Sequence, residues 1–251
     1  MYFPVESPNI PKNKVTVVAV SSEADENLFK KLNDLEIEVI KTEQSRKIKD
    51  INYHSDLFVL NLTKNNLLID ESQKNSFVKY LTIGYNLTEI DGVKSPYPSD
   101  CSLNCVVMGD KIICNINTVY PEILRFSENN HYKLITTNQG YTKCSTCVIN
   151  DNALITDDES IYNSSQNNQI DSILISKGSI RLKGFEYGFI GGCTGMIDKN
   201  KLLFNGDINY HNDCNKIIDF LNKYGVEPVI IENKPLTDIG SIIPLCEKHT
   251  I

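Results

Sequence analysis

The stretch YGFIGGCTGMIDKNKLLFNG, residues 187–206, decides the fold. A tyrosine opens it, a glycine-containing loop follows, and two apolar runs then flank the polar turn DKNK (198–201). Apolar runs on either side of a short Asn/Asp-containing turn are the pattern of a β-hairpin. The same order is found upstream three times. Tyr141 precedes TKCSTCVINDNALIT, with NDN (150–152) as the turn. Tyr97-Pro-Ser-Asp100 precedes CSLNCVVMGDKIIC, with GDK (109–111). Tyr53-His-Ser-Asp56 precedes LFVLNLTKNNLLI, with TKNN (63–66). The tyrosines are spaced by 44, 44 and 46 residues, and one more step of 46 reaches Asn233, ahead of KPLTDIGSIIPLC. A period of this size marks a repeat architecture.

Between hairpins the pattern predicts a helix and then a strand. The helices are expected at about 24–35, 73–83, from Pro121 onward, 158–168 and 212–224. Leu28, Leu32 and Leu35 share one face of the first, Phe77, Val78 and Leu81 belong to the second, and Ile217, Ile218 and Leu221 line the fifth. Pro121 suits a first helical turn, Asn212 or Asp213 an N-cap, and Gly84 and Gly225 the stops. The strands that follow are EIEVIKT, YNLTEI, YKLITT, SILIS and EPVIIE. The fifth hairpin lacks a returning strand, whereas an extra strand, VTVVAV (15–20), precedes the first helix. Pairing 15–20 with 241–246 completes the last unit, closes a ring and removes exposed sheet edges. The expected organisation is an extended tail over 1–13 and one domain of five repeats over 14–251, with hairpins starting near 53, 97, 141, 187 and 233.

This arrangement resembles the pentein, or guanidine-modifying-enzyme (GME), fold, a five-fold pseudo-symmetric α/β propeller, and within it the uncharacterised clostridial GME-fold proteins. The resemblance implies kinship with arginine and agmatine deiminases, dimethylarginine dimethylaminohydrolases and amidinotransferases, and with a non-catalytic ribosome anti-association factor. Residues 190–206 are similar to the family's EGGDV-type hairpin: Gly191, Gly192 and Gly206 match, while Ile190 and Cys193 stand where acidic residues belong. DIGSIIPLC (238–246) is similar to the segment that carries the nucleophile: Gly240 matches, but Ile243 or Pro244 occupies the cysteine position and Cys246 comes later. Phe189 is the nearest match to the catalytic histidine. The usual nucleophile and base are therefore absent, which favours a non-catalytic or divergent member that binds a small molecule or partner.

A ring of repeats gathers equivalent loops around one axis, where small-molecule sites form. The loops after each tyrosine bring His54, Asp56, Asp100, Cys101, Cys144, Gly191, Gly192, Cys193, Asp238 and Ser241 to one mouth. Paired carboxylates there suit a cationic, guanidino-type ligand. The enzymatic alternative is a hydrolase or amidinotransferase-like activity with Cys193 as nucleophile beside the Gly191–Gly192 amides and His54 as base. A second alternative is a zinc site of Cys101, Cys105, Cys144 and Cys147, two close-spaced cysteine pairs in neighbouring units; otherwise no cofactor is expected. His131 and His211 read as surface or capping residues and His249 as part of a frayed tail.

Composition narrows the partners. The formal net charge is −7, and the 25 Lys and Arg residues are scattered rather than gathered into a basic face. Nucleic acid is not an expected partner. The longest apolar run, VTVVAV, is too short to span a bilayer. With no basic-then-apolar leader at the start, the chain is expected in the cytoplasm, with its eight cysteines reduced.

Overall fold

A computed structural model describes residues 3–49, 51–78 and 84–248. The chain order is β1 (Phe3–Pro4), β2 (Val15–Ser21), α1 (Glu26–Asp34), β3 (Glu38–Thr42), α2 (Ser55–Phe58), β4 (Val59–Thr63), β5 (Asn66–Asp70), α3 (Lys74–Phe77), β6 (Asn86–Ile90), β7 (Val106–Met108), β8 (Lys111–Cys114), α4 (Pro121–Asn129), β9 (Lys133–Thr136), β10 (Thr146–Asn150), β11 (Ala153–Thr156), α5 (Glu159–Asn167), β12 (Asp171–Leu174), β13 (Thr194–Asp198), β14 (Lys201–Phe204), α6 (Cys214–Lys223), β15 (Glu227–Val229) and β16 (Ile243–Glu247).

The strands form five small sheets, β4-β5-β6, β7-β8-β9, β10-β11-β12, β13-β14-β15 and β1-β16-β2-β3. Four share one plan: an antiparallel hairpin, then a parallel third strand reached through a helix. The hairpins turn at the Asn-, Asp- and Gly-containing segments the sequence marks. The fifth sheet makes the same pattern from the two ends of the chain. β16 runs antiparallel to β2, with Ile243 opposite Ala19 and Glu247 opposite Val15, and β2 runs parallel to β3. Pro244 offers no N–H, and the ladder shifts register directly after it.

The helices follow local chemistry. Asp25 caps α1 by accepting from the Asn27 and Leu28 N–H groups, and Asp158 caps α5 through Ser160 and Ile161. Leu28 and Leu32 of α1 are fully buried against Val18 and Val20 of β2. α6 starts after Asp213 and ends before Gly225 at φ +64°. The second helix is shorter than its apolar pattern suggests: a 3-10 turn over Glu71–Gln73 leads into α3, and the expected Leu81 lies outside the described residues.

The segment expected as a tail is docked. Val5 is fully buried and donates to Leu245 O, and the Asn9 side chain donates to Val107 O. The buried Glu247 carboxylate accepts from the N–H groups of Glu6, Lys12 and Asn13. Among the described residues, no helix is long and apolar enough to cross a membrane.

Candidate functional site

The loops ahead of the hairpins converge, and a cavity of about 270 Å³ opens over them. Its polar groups are His54, Cys144, Asp238 and Glu186. Its apolar walls come from Ile51, Tyr141, Leu182, Phe185, Tyr187 and Phe189.

His54 stands at the N-terminal end of α2, next to the DIGS segment. Gly240 makes that approach possible: it has φ +76°, and a Cβ there would lie 2.4 Å from the His54 Cα. The Asp56 N–H donates to Gly240 O. The ring is buried, and neither nitrogen makes a hydrogen bond. Burial lowers its pKa to about 4, against the pull of the Asp56 charge. The 3.7 Å approach of Nδ1 to Asp238 Oδ1 is thus a neutral imidazole beside a carboxylate rather than an ion pair.

Asp238 is held from two sides: Oδ2 accepts from the Phe189 N–H at 3.0 Å and Oδ1 from the Gly240 N–H at 2.9 Å. Burial raises its pKa to about 6, while those amides and Lys143 favour the charged form. Gly192 fits beneath it, since a Cβ would lie 2.0 Å from Asp238 Oδ1.

Behind the cavity wall lies a buried polar knot. Asp56 Oδ2 accepts from Ser241 Oγ at 2.7 Å and from the Cys144 thiol at 3.0 Å, while Oδ1 has no hydrogen bond. Ser241 Oγ also approaches Gly191 O at 2.8 Å and receives the Lys143 amino group at 3.1 Å. Asn104 orders the Cys144 turn: its Oδ1 accepts from the N–H groups of Lys143 and Cys144, and its Nδ2 donates to Asp56 O and Cys144 Sγ. Burial, with Asp56 and Asp238 adding to it, pushes the Cys144 thiol well above its ordinary range.

His54, Asp56, Gly191, Gly192, Asp238 and Ser241 are thus brought into one neighbourhood. Asp100 stands at its edge, where its Oδ2 accepts from the Tyr141 hydroxyl at 2.8 Å. Cys193 is not where the enzymatic alternative needs it. It is fully buried in an apolar cluster with Ile190, Met196 and Phe204, its thiol faces Ile190 O, and it does not line the cavity. The cysteine beside His54 is Cys144. The four-cysteine zinc set is not assembled either. Cys105 packs in the core around β4–β8, Cys147 in the core around β10–β14, and the Cys101 thiol turns to Pro98 O. Hairpin residues that face different cores cannot converge on one ion. His211 is buried and accepts the Asp213 N–H, His131 is exposed, and His249 lies outside the described residues.

Asn104 and Lys143 are not legible in the sequence, because their partners are 39 to 98 residues away; the repeat places Cys144 and Asp56 at one mouth, but not the bond between thiol and carboxylate. The signal that places Cys144 at the mouth is that it follows one of the repeat tyrosines.

A family model described as "Family of unknown function (DUF6873)" matches residues 19–243. No curated protein matches the chain. Solved structures do. The inosamine-phosphate amidinotransferase of Streptomyces griseus is similar with a TM-score of 0.63 at 10% identity, over 99% of this chain and 98% of that one. An amidinotransferase from Microseira wollei in the saxitoxin biosynthetic pathway gives 0.62 at 9%, over 99% and 98%. DDAH from Pseudomonas aeruginosa, complexed with citrulline, gives 0.52 at 10%, over 87% and 93%. At such identities the likeness shows the fold alone, which is that of the pentein, or guanidine-modifying-enzyme, superfamily.

Proposed function

The chain belongs to the family of unknown function DUF6873, and we propose that within the pentein fold it is a divergent binding protein that holds a small cationic molecule, of guanidino or amine type, in the Asp238 cavity. One observation carries the reading: a buried carboxylate, fixed by two backbone amides, stands beside a histidine with no hydrogen bond at the floor of an aromatic-walled chamber. A carboxylate with a neutral imidazole offers acceptors to a planar N–H donor, and the aromatic walls of Tyr187 and Phe189 shield that contact from water. The exposed Glu186 adds negative charge at the rim.

The thiol chemistry favours binding over covalent catalysis. A reactive cysteine needs an electropositive setting, whereas Cys144 donates to a carboxylate and Cys193 lies in an apolar core.

The common plan of the sheets and the β2–β16 pairing support a closed five-bladed propeller of internal repeats, one domain over 14–251, with the site on its axis.

Calorimetric titration with agmatine, arginine and guanidinium, with neutral citrulline as control, tests the reading. The cations are expected to bind the wild type and citrulline to bind at least ten-fold more weakly. Asp238→Asn keeps an acceptor for one of the two backbone amides and should lose at least ten-fold in cation affinity. Equal binding of citrulline, or an unaffected Asp238→Asn variant, would exclude it.

A further inference from the structure

We propose that His54, Asp56 and Cys144 form a mononuclear site for a thiophilic divalent ion of the zinc type, open toward the cavity. Among the described residues this is the one group of three or more His, Cys, Asp or Glu side chains whose ligand atoms all lie within 4.8 Å of one another. All three side chains are buried.

Three independent features point to an ion rather than to ordinary packing. First, the group is short of hydrogen bonds where a ligand set would be: both nitrogens of His54 and Oδ1 of Asp56 have none. A neutral imidazole always carries one N–H and one lone pair, so a buried ring with no partner on either side is costly unless something occupies the space. Second, the donors are one nitrogen, one oxygen and one sulfur. That mixed set suits zinc and its neighbours, and the sulfur disfavours magnesium and calcium. Third, the ligands are held from behind. Ser241 donates to Asp56 Oδ2 at 2.7 Å, and Asn104 donates to Cys144 Sγ at 3.3 Å. Such outer hydrogen bonds orient metal ligands.

The Cys144 thiol now points its proton along a 3.0 Å contact to Asp56 Oδ2. Binding replaces that proton: the S–H bond breaks, sulfur keeps the pair and gives it to the ion, and the proton leaves to solvent. His54 and Cys144 both line the cavity, so the remaining coordination position faces the chamber. The site goes beyond the cation reading and shares its floor, so zinc and a cationic ligand are expected to exclude each other.

The test begins with full-length protein stripped by a chelator and titrated with cobalt(II) alone. A thiolate-to-cobalt absorption band should grow and saturate at one equivalent, and zinc should bleach it. Cys144→Ser should lose the band, and His54→Ala should bind zinc at least ten-fold more weakly. X-ray absorption of zinc-loaded wild type should count one sulfur neighbour, which keeps the test decisive where a variant fails to fold. No band, a band retained by Cys144→Ser, or a sulfur count of zero or several would overturn the site. The guanidinium titration is made on stripped protein, so loss of the metal site and loss of the cation reading are separate outcomes.

Discussion

At the scale of single residues, the site depends on side chains that do not touch the cavity. Asn104 is the clearest case. Its amide satisfies two backbone donors of the Cys144 turn and reaches back to Asp56 O. Asn104→Ala leaves the Lys143 and Cys144 N–H groups buried and unpaired, and should cost about 3 kcal/mol in urea unfolding. Asp157 gives a pH signature. Burial raises its pKa to about 7; Asp238 and Asp158 push the same way, while the Ile190 N–H and Lys177 oppose. The unfolded chain releases this proton near 3.8. Between these values the folded state holds more protons, so stability falls as pH rises from about 4 to about 7 and then levels. Asp157→Asn keeps an acceptor for the Ile190 N–H and removes that slope. Relative to wild type it should gain on the order of 2 to 4 kcal/mol between pH 4.5 and pH 8, read from urea midpoints. An offset that stays the same at both pH values would acquit Asp157.

At the scale of elements, glycines and caps decide how loops approach one another. Gly192 sits directly beneath a carboxylate that two amides hold in place. Gly192→Ala must displace Asp238, so it should cost about 1 to 3 kcal/mol and weaken cation binding together with it. Asp25→Ala removes the α1 cap, which should cost about 1 kcal/mol and leave binding unchanged. Thermal melts paired with the same titration separate the two effects. The hairpins were legible in the sequence because a polar turn between two apolar runs is a local signal. The second helix was less so: the 3-10 turn at Glu71–Gln73 is capped by Asp70 and tied through the Gln73 side chain to the N–H and the carbonyl of Glu43 on another segment.

At the scale of the molecule, the two chain ends hold each other. The β2–β16 pairing and the Glu247 carboxylate, with its three amide donors, join the first and last segments. Deleting residues 1–13 leaves that buried carboxylate without those donors, and should lower stability by about 3 to 5 kcal/mol while leaving the Asp238 cavity's residues intact. A urea midpoint equal to that of the full chain would refute this. The hairpins and the strand that the N-terminal segment supplies to the last sheet were determined by the sequence, because apolar runs and turn chemistry are properties of neighbouring residues. Which cysteine faces which core was decided only by the tertiary structure. Cys144 and Cys193 both follow a repeat tyrosine by a few residues, yet one thiol meets Asp56 and the other a carbonyl within an apolar cluster. The difference lies in partners brought from distant loops, and side-chain direction at the start of a strand is fixed by those partners, not by the residues alongside.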